Sequence, residues 1–467
     1  MSDRRRSGAA SARVERFLVG PIVPTLLTLA APMVLVLTVQ ASLNLVETHF
    51  IGTLGTDSLA GAALVFPIIM LMQMVASGGL GGGIASAIAR AVGAGLPDRA
   101  AALIGHGLIL ATLCGLVSSL LGLILGPMLY RLLGGTGATL EAALRYSDTI
   151  FTGMLLLWWS NALASSLRGS GEMFAAAVVI LTAATVAIAL SPCLIQGWGP
   201  FPRLGVVGAG LAILTYYGLC TLGFLAYLLL GRGGAYLRRA GFDRRLFSDI
   251  LSVGGLSTVM TLQSSLAVII VTGLAGGYGN LVLAGYGIGA RLDALLVPPI
   301  FGLGAATVTM VGINVGAGQV LRAERIAWTG ALIAFAVLET IGLLATEFPY
   351  VWLGLFSDDG AVLKAGARYL HAVAPFYGFL GIGTILHFAG IGAGRPRGPL
   401  YGISARFLIA AGGGALVADV LHGSPHKLFV MVAAGLVAFA MINAGFVLNG
   451  SLGRRPDPGR RRSVRAT

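Results

Sequence analysis

The chain has 467 residues, of which 56% are hydrophobic and only 10% charged, against about 25% charged in an ordinary soluble domain, which excludes a water-soluble globular fold. Uncharged runs from Phe17 to Val46 and from Leu262 to Ala290 exceed the roughly 20 residues that cross a hydrocarbon core about 30 Å thick, so the chain reads as a polytopic membrane protein. The formal charge of +13 suggests a nucleic-acid partner only until the basic residues are placed along the chain.

Residues 1–23 form a basic arm with Arg4, Arg5, Arg6, Arg13 and Arg16. The apolar run behind it is longer than a signal-peptide core and reads as a retained first helix. Hydropathy and the glycine, proline and charge punctuation predict that helix over 24–50. Pro32 withholds a backbone donor and should kink it. Gln40 and Asn44 stand seven and three positions before Glu47, so the three share one face. That polar stripe either lines a wet cleft or ends at the outer membrane boundary. Helices follow over 57–83, 99–126, 142–167, 174–196 and 205–230. Gly81-Gly82-Gly83 suits helix packing better than phosphate binding, since no strand precedes it and no Gly-Lys-Ser/Thr follows. Asn161 in the fourth helix is a further polar candidate for supporting a cleft or ion site.

An arginine-rich loop, 231–248, leads into a second set over 249–274, 281–312, 324–350, 365–388, 398–421 and 427–449, before a basic tail, 451–467. Gln263 lies in the seventh helix. The eighth carries Arg291 and Asp293 ahead of Pro298-Pro299, a pair expected to interrupt regular helix. Residues two apart do not face each other on a helix, so Arg291 and Asp293 are expected to have different partners. Glu339 lies well inside the ninth. An ionisable group in the bilayer costs about 2.5–3.5 kcal/mol on insertion scales; these three therefore belong either to an ion or substrate site or to a structural charge network.

Twenty-three of the 31 basic residues fall in the arm, the tail and alternate loops, six in the other loops, and Arg291 and Arg406 within spans. The positive-inside rule puts both termini in the cytoplasm, and the chain is expected as a multi-pass protein of the cell's inner (plasma) membrane. The charge is then topology, and no nucleic acid is implied. A repeat sharpens the architecture: Val92-Gly93-Ala94-Gly95 returns as Val315-Gly316-Ala317-Gly318, Arg99 as Arg322, Gln40 as Gln263, and Gly169 with Gly171 as Gly392 with Gly394, all at one constant offset. The fold class is all-α, with twelve transmembrane helices in two six-helix lobes, 24–230 and 249–450. Six is even, so the repeat is parallel.

Cys114, Cys193 and Cys220 lie in apolar stretches without metal-ligand spacing, and the six histidines form no His-Glu-x-x-His pattern. Neither a metal nor a cofactor is expected. With no nucleotide-hydrolysing motif and no convergent nucleophile and base, the chain is not expected to be an enzyme, and uphill transport would draw on an ion gradient or on another chain.

The chain resembles the multidrug and toxic compound extrusion (MATE) transporters, prokaryotic branch. The resemblance runs over nearly all of 20–450. It rests on Pro32; on Gln40, Asn44 and Glu47 in NLVETHFIGTLG; on LAGAALVFPI from Leu59; on SAIARAVGAG ending at Gly95; on SLRGSGE from Ser166; and on GARLD and VGINVGAG, ending at Asp293 and Gly318. It implies a functional monomer of two lobes that alternates between outward and inward openings, exporting cationic or amphiphilic small molecules in exchange for protons or sodium. Glu47 occupies the family's usual aspartate position as coupling residue, Pro32 its hinge, and Asp293 and Glu339 resemble a second ion site. The family's fifth-helix Asn-x-x-x-Asp-Pro reads Ala187-Ile188-Ala189-Leu190-Ser191-Pro192 here, without the partner amide and second carboxylate. Sodium prefers several oxygen ligands, whereas burial of a lone carboxylic acid favours its protonated form; protons are the favoured coupling ion and sodium the alternative. A flippase for a lipid-linked sugar is the rival within the same superfamily, though it would call for several basic residues in the cleft to meet a diphosphate and only Arg291 and Arg406 lie in spans.

Overall fold

A computed structural model describes residues 12–231, 236 and 241–453. The arginines of the far N-terminus and the tail, with Arg232, Arg238 and Arg239, lie outside the described residues. The described chain is helical and contains no strand. Twelve apolar spans follow in order: α1 Ile22–Gly52, α2 Thr56–Gly93, α3 Pro97–Leu132, α4 made of Gly137–Thr152 and Met154–Gly169, α5 Met173–Gln196, α6 Val206–Leu229, α7 Arg244–Gly277, α8 Asn280–Gly316, α9 Val320–Glu347, α10 Gly360–Gly392, α11 Arg397–Val420 and α12 Pro425–Leu448. Eleven pass as single spans, and α4 is a pair bent by 50°.

The helices outrun their predicted ends where polar residues were read as boundaries. The second span extends through a π-helical turn, Val75–Leu80, to Gly93. The expected interruption at Pro298-Pro299 is absent: α8 is continuous from Asn280 to Gly316 with both prolines inside it. Each proline withholds one helical hydrogen bond, and the ladders on either side continue past them. Pro32 likewise sits within an unbroken α1.

The chain divides into two compact units. Among the described residues, the first holds Thr28–Ile88 and Leu96–Leu262 with residues 12–13; the second holds Val14–Leu27, Ala89–Gly95 and residues 263–453. α7 therefore contributes its first part to one unit and the rest to the other.

Within the first unit, helices meet at glycines. A Cβ on Gly61 of α2 would lie 2.8 Å from the Ala143 nitrogen of α4, and one on Gly169 of α4 would lie 2.5 Å from the Ala85 carbonyl of α2. Where no hydrophobic force drives apolar helices together, such close backbone approach supplies the packing. Within the second unit the same joints recur: Gly285 of α8 against the Gly366 nitrogen of α10 at 2.5 Å, and Gly392 of α10 against the Val308 carbonyl of α8 at 2.5 Å. Ala85, Ala143 and Gly169 map onto Val308, Gly366 and Gly392 at the offset of the sequence repeat, and the counterpart of Gly61 falls one position before Gly285. The turns repeat as well: Gly95 and Gly318 have φ of 70° and 75°, and Gly171 and Gly394 have φ of 81° and 71°, the left-handed conformation that ends a helix and favours glycine. The break in α4 at Gly153 also has its counterpart, since α10 is interrupted by a 3-10 turn, Ala374–Phe376, where Pro375 lacks a donor.

Candidate functional site

In the first unit, α1 carries Glu47 into the bundle, where it is 6% exposed. The Tyr146 hydroxyl, from the first half of α4, donates to its Oε1 at 2.7 Å. Among the described residues no basic side chain pairs with this carboxylate. A turn or two earlier on α1, Gln40 Nε2 donates to the Tyr216 hydroxyl of α6 at 2.8 Å, while Asn44 Nδ2 donates to the Gln40 carbonyl at 3.0 Å. Asn44 therefore turns back on its own helix, and Gln40 reaches across.

Next to Tyr216, with ring centroids 5.0 Å apart, Tyr217 donates to Gln73 Oε1 of α2 at 3.1 Å. Gln73 and Asn161 of α4 form a reciprocal amide pair at 3.3 and 3.1 Å, and Asn161 is further held by the Leu157 carbonyl at 2.8 Å. α2, α4 and α6 are thus joined through one amide and tyrosine cluster, with α1 attached at Tyr216. At Ser191, the position matching the family's second carboxylate, the side chain is 1% exposed and its hydroxyl has no partner among the described residues.

In the second unit the acid comes from a different helix. Asp293 of α8 receives the Tyr369 hydroxyl on Oδ2 at 2.6 Å and the Tyr377 hydroxyl on Oδ1. Both tyrosines lie on α10, on either side of its 3-10 break, and both are fully buried. Tyr146 and Tyr369 stand at equivalent positions of the repeat. Glu339 of α9 accepts the Gly378 backbone N–H at 2.7 Å; it caps the free donors at the start of the second α10 segment, one residue from Tyr377. Gln263 and Ser404 of α11 exchange hydrogen bonds at 3.0 and 3.2 Å. Arg291 is exposed, its guanidinium 5.2 Å from the centroid of the Phe356 ring, so the structure does not bring it to Asp293. Arg406 of α11 lies over the Phe439 ring of α12, 5.8 Å from its centroid.

Sequence reasoning singled out Gln40, Asn44, Glu47, Asn161, Gln263, Asp293 and Glu339 but missed their partners: Tyr146, Tyr216, Tyr217, Gln73, Tyr369, Tyr377 and, as a site residue, Arg406. For Tyr146 the repeat held a signal, because its counterpart in the second half, Tyr369, is also tyrosine.

A duplicated set of six apolar spans, with a tyrosine-held carboxylate inside each set, defines a polytopic membrane protein of the internally repeated kind on which secondary transporters are built. The chain matches the MatE family model over residues 32–193 and 257–415 and belongs to that family. It is 29% identical over 82% of its length to a protein named FAD transporter from Shewanella oneidensis, covering 85% of that relative. It is 28% identical over 88% of its length to the probable multidrug resistance protein NorM of Deinococcus radiodurans, covering 92%. Among solved structures, an outward-facing multidrug resistance MATE family transporter of the MOP superfamily superposes with a TM-score of 0.84 at 24% identity, over 93% of this chain and 97% of that one. A MATE protein in complex with MaD5 superposes at 0.83 and 26% identity, over 93% and 98%.

Proposed function

We propose that the protein is a secondary active exporter of cationic or amphiphilic small molecules, driven by proton entry through alternating access, and that it works as a monomer in the cell's inner membrane with both termini in the cytoplasm. The observation that carries this reading is the Glu47–Tyr146 pair: a buried carboxylate with one hydroxyl partner and no counter-ion among the described residues. Such a group can take up and release a proton while a single hydrogen bond changes. Pro32 lies four helical turns before it in α1 and lowers the cost of bending that helix between the two protonation states. Antiport then requires substrate and proton to favour different conformations, because a ligand that binds both equally shifts neither. With Ser191 in place of a second carboxylate, the oxygen ligands that sodium would need are fewer.

The test is dye transport by the purified chain in proteoliposomes. Accumulation of a cationic dye that collapses with a protonophore and survives replacement of sodium by potassium supports the reading; accumulation that requires sodium and survives the protonophore overturns it. Flavin nucleotide is a second cargo to load into the same vesicles, because of the 29% identity to the FAD transporter of S. oneidensis.

A further inference from the structure

Arg406 is a cation for which the mechanism above has no use. It is the tenth residue of α11, about 14 Å along that helix at 1.5 Å per residue, and so near the middle of a span. A charge at that depth persists where it faces a cavity or a partner. Its platform is Phe439, 1% exposed, which places the guanidinium inside the bundle. Yet no hydrogen bond or ion pair reaches it among the described residues; Asp293 accepts from Tyr369 and Tyr377 instead. Five guanidinium donors are therefore left to serve something else.

The surroundings point the same way. His387 of α10 lies against the same platform, its ring 6.0 Å from that of Phe439. Asn443, one turn beyond Phe439 on α12, is 0% exposed; its Nδ2 is spent on the Phe439 carbonyl and its Oδ1 has no partner. Two residues beyond Arg406, α11 leaves α-helical geometry for a π-helical segment, Leu408–Gly413, a distortion that recurs at functional sites. A guanidinium held over a ring near the middle of a span, with no hydrogen-bond partner among the described residues, suits an anionic oxygen group.

We propose that Arg406, with Phe439 beneath it, is a binding subsite for the carboxylate or phosphate of an amphiphilic substrate. The subsite deepens the export reading by naming a substrate class, and rests on it. A quinolone carboxylic acid and its methyl ester differ only in the anion, as do flavin mononucleotide and riboflavin in the phosphate. Binding of all four to the purified protein in detergent, by thermal shift, and their transport in proteoliposomes, are compared for the wild type, Arg406→Gln and Arg406→Lys. Arg406→Gln is expected to lower the preference for an anion over its uncharged analogue about tenfold, and Arg406→Lys to keep most of it. A loss confined to the quinolone pair assigns a carboxylate, and one confined to the flavin pair a phosphate; either supports the subsite. Unchanged preferences in both pairs overturn it. So does an equal loss for all four probes that is rescued by Asp293→Asn in the double variant, the signature of a purely structural charge pair. Because binding is read without a gradient, failure of proton-driven export in the wild type would sink the transport reading and leave this result standing.

Discussion

Tyr146 and Tyr369, equivalent positions of the repeat, do the same thing in their own halves of the protein: each donates its hydroxyl to a carboxylate inside the bundle, at 2.7 Å to Glu47 and 2.6 Å to Asp293. The acids are not equivalent. At the repeat offset Glu47 corresponds to Ile270 and Asp293 to Met70. The duplicated fold has kept the tyrosine and placed the acid on the first helix of one half and the second helix of the other.

That difference predicts unequal consequences. Tyr146→Phe leaves Glu47 with no hydrogen-bond partner, at a cost of about 1–3 kcal/mol for an unsatisfied buried group, and gradient-driven dye export should fall about tenfold. Tyr369→Phe leaves Tyr377 in place and should cost less than about threefold, while the Tyr369→Phe/Tyr377→Phe double variant should approach the loss seen for Tyr146→Phe. Initial export rates in proteoliposomes check all three.

Glu339 gives a second contrast. As a cap on the Gly378 N–H, it needs only an acceptor oxygen, so Glu339→Gln should keep transport near wild type. Glu339→Ala removes the acceptor and should lower stability by about 1 kcal/mol, measured by thermal unfolding in detergent. Equal and complete loss of transport in both variants, with normal unfolding curves, would instead place Glu339 in the ion path.

The glycine joints can be tested by adding a methyl group. A Cβ on Gly93 would sit 1.9 Å from the Ile313 carbonyl oxygen, and one on Gly316 would sit 2.1 Å from that of Arg90. These are reciprocal positions of the repeat, since Ile313 and Gly316 are the second-half counterparts of Arg90 and Gly93. Backbone cannot give way as a side chain can, so Gly93→Ala and Gly316→Ala should each destabilise by about 1–3 kcal/mol or more. Gly255→Ala in α7, with nothing within 4 Å, should be neutral or stabilising by up to about 1 kcal/mol through helix propensity. Unfolding midpoints of the three variants make the comparison.

The architecture was legible in the sequence because it depends on patterns that are local in the chain. Spans follow from uncharged runs: 24–50 was predicted where α1 runs Ile22–Gly52. The repeat follows from glycines whose left-handed turns at Gly95 and Gly318 admit few other residues. Glu47 and Asp293 were visible as charges in apolar surroundings. Their partners were hidden, because Tyr146 lies 99 positions from Glu47 and Gln73 88 from Asn161, and which tyrosine or amide meets which acid is decided by the packing of whole helices. Pro298-Pro299 misled for the converse reason: a local rule predicted a break that the continuous helix around it overrides. Arg406 stood out only as a charge within a span, and its significance depends on what fails to pair with it.

The central claim is that Glu47 is the group that couples proton entry to export. Its most direct test is export of a cationic dye by Glu47→Gln in proteoliposomes under an imposed pH gradient, with folding verified by the unfolding midpoint. The account predicts a folded protein in which gradient-driven export is abolished. Undiminished gradient-driven export by Glu47→Gln would contradict it.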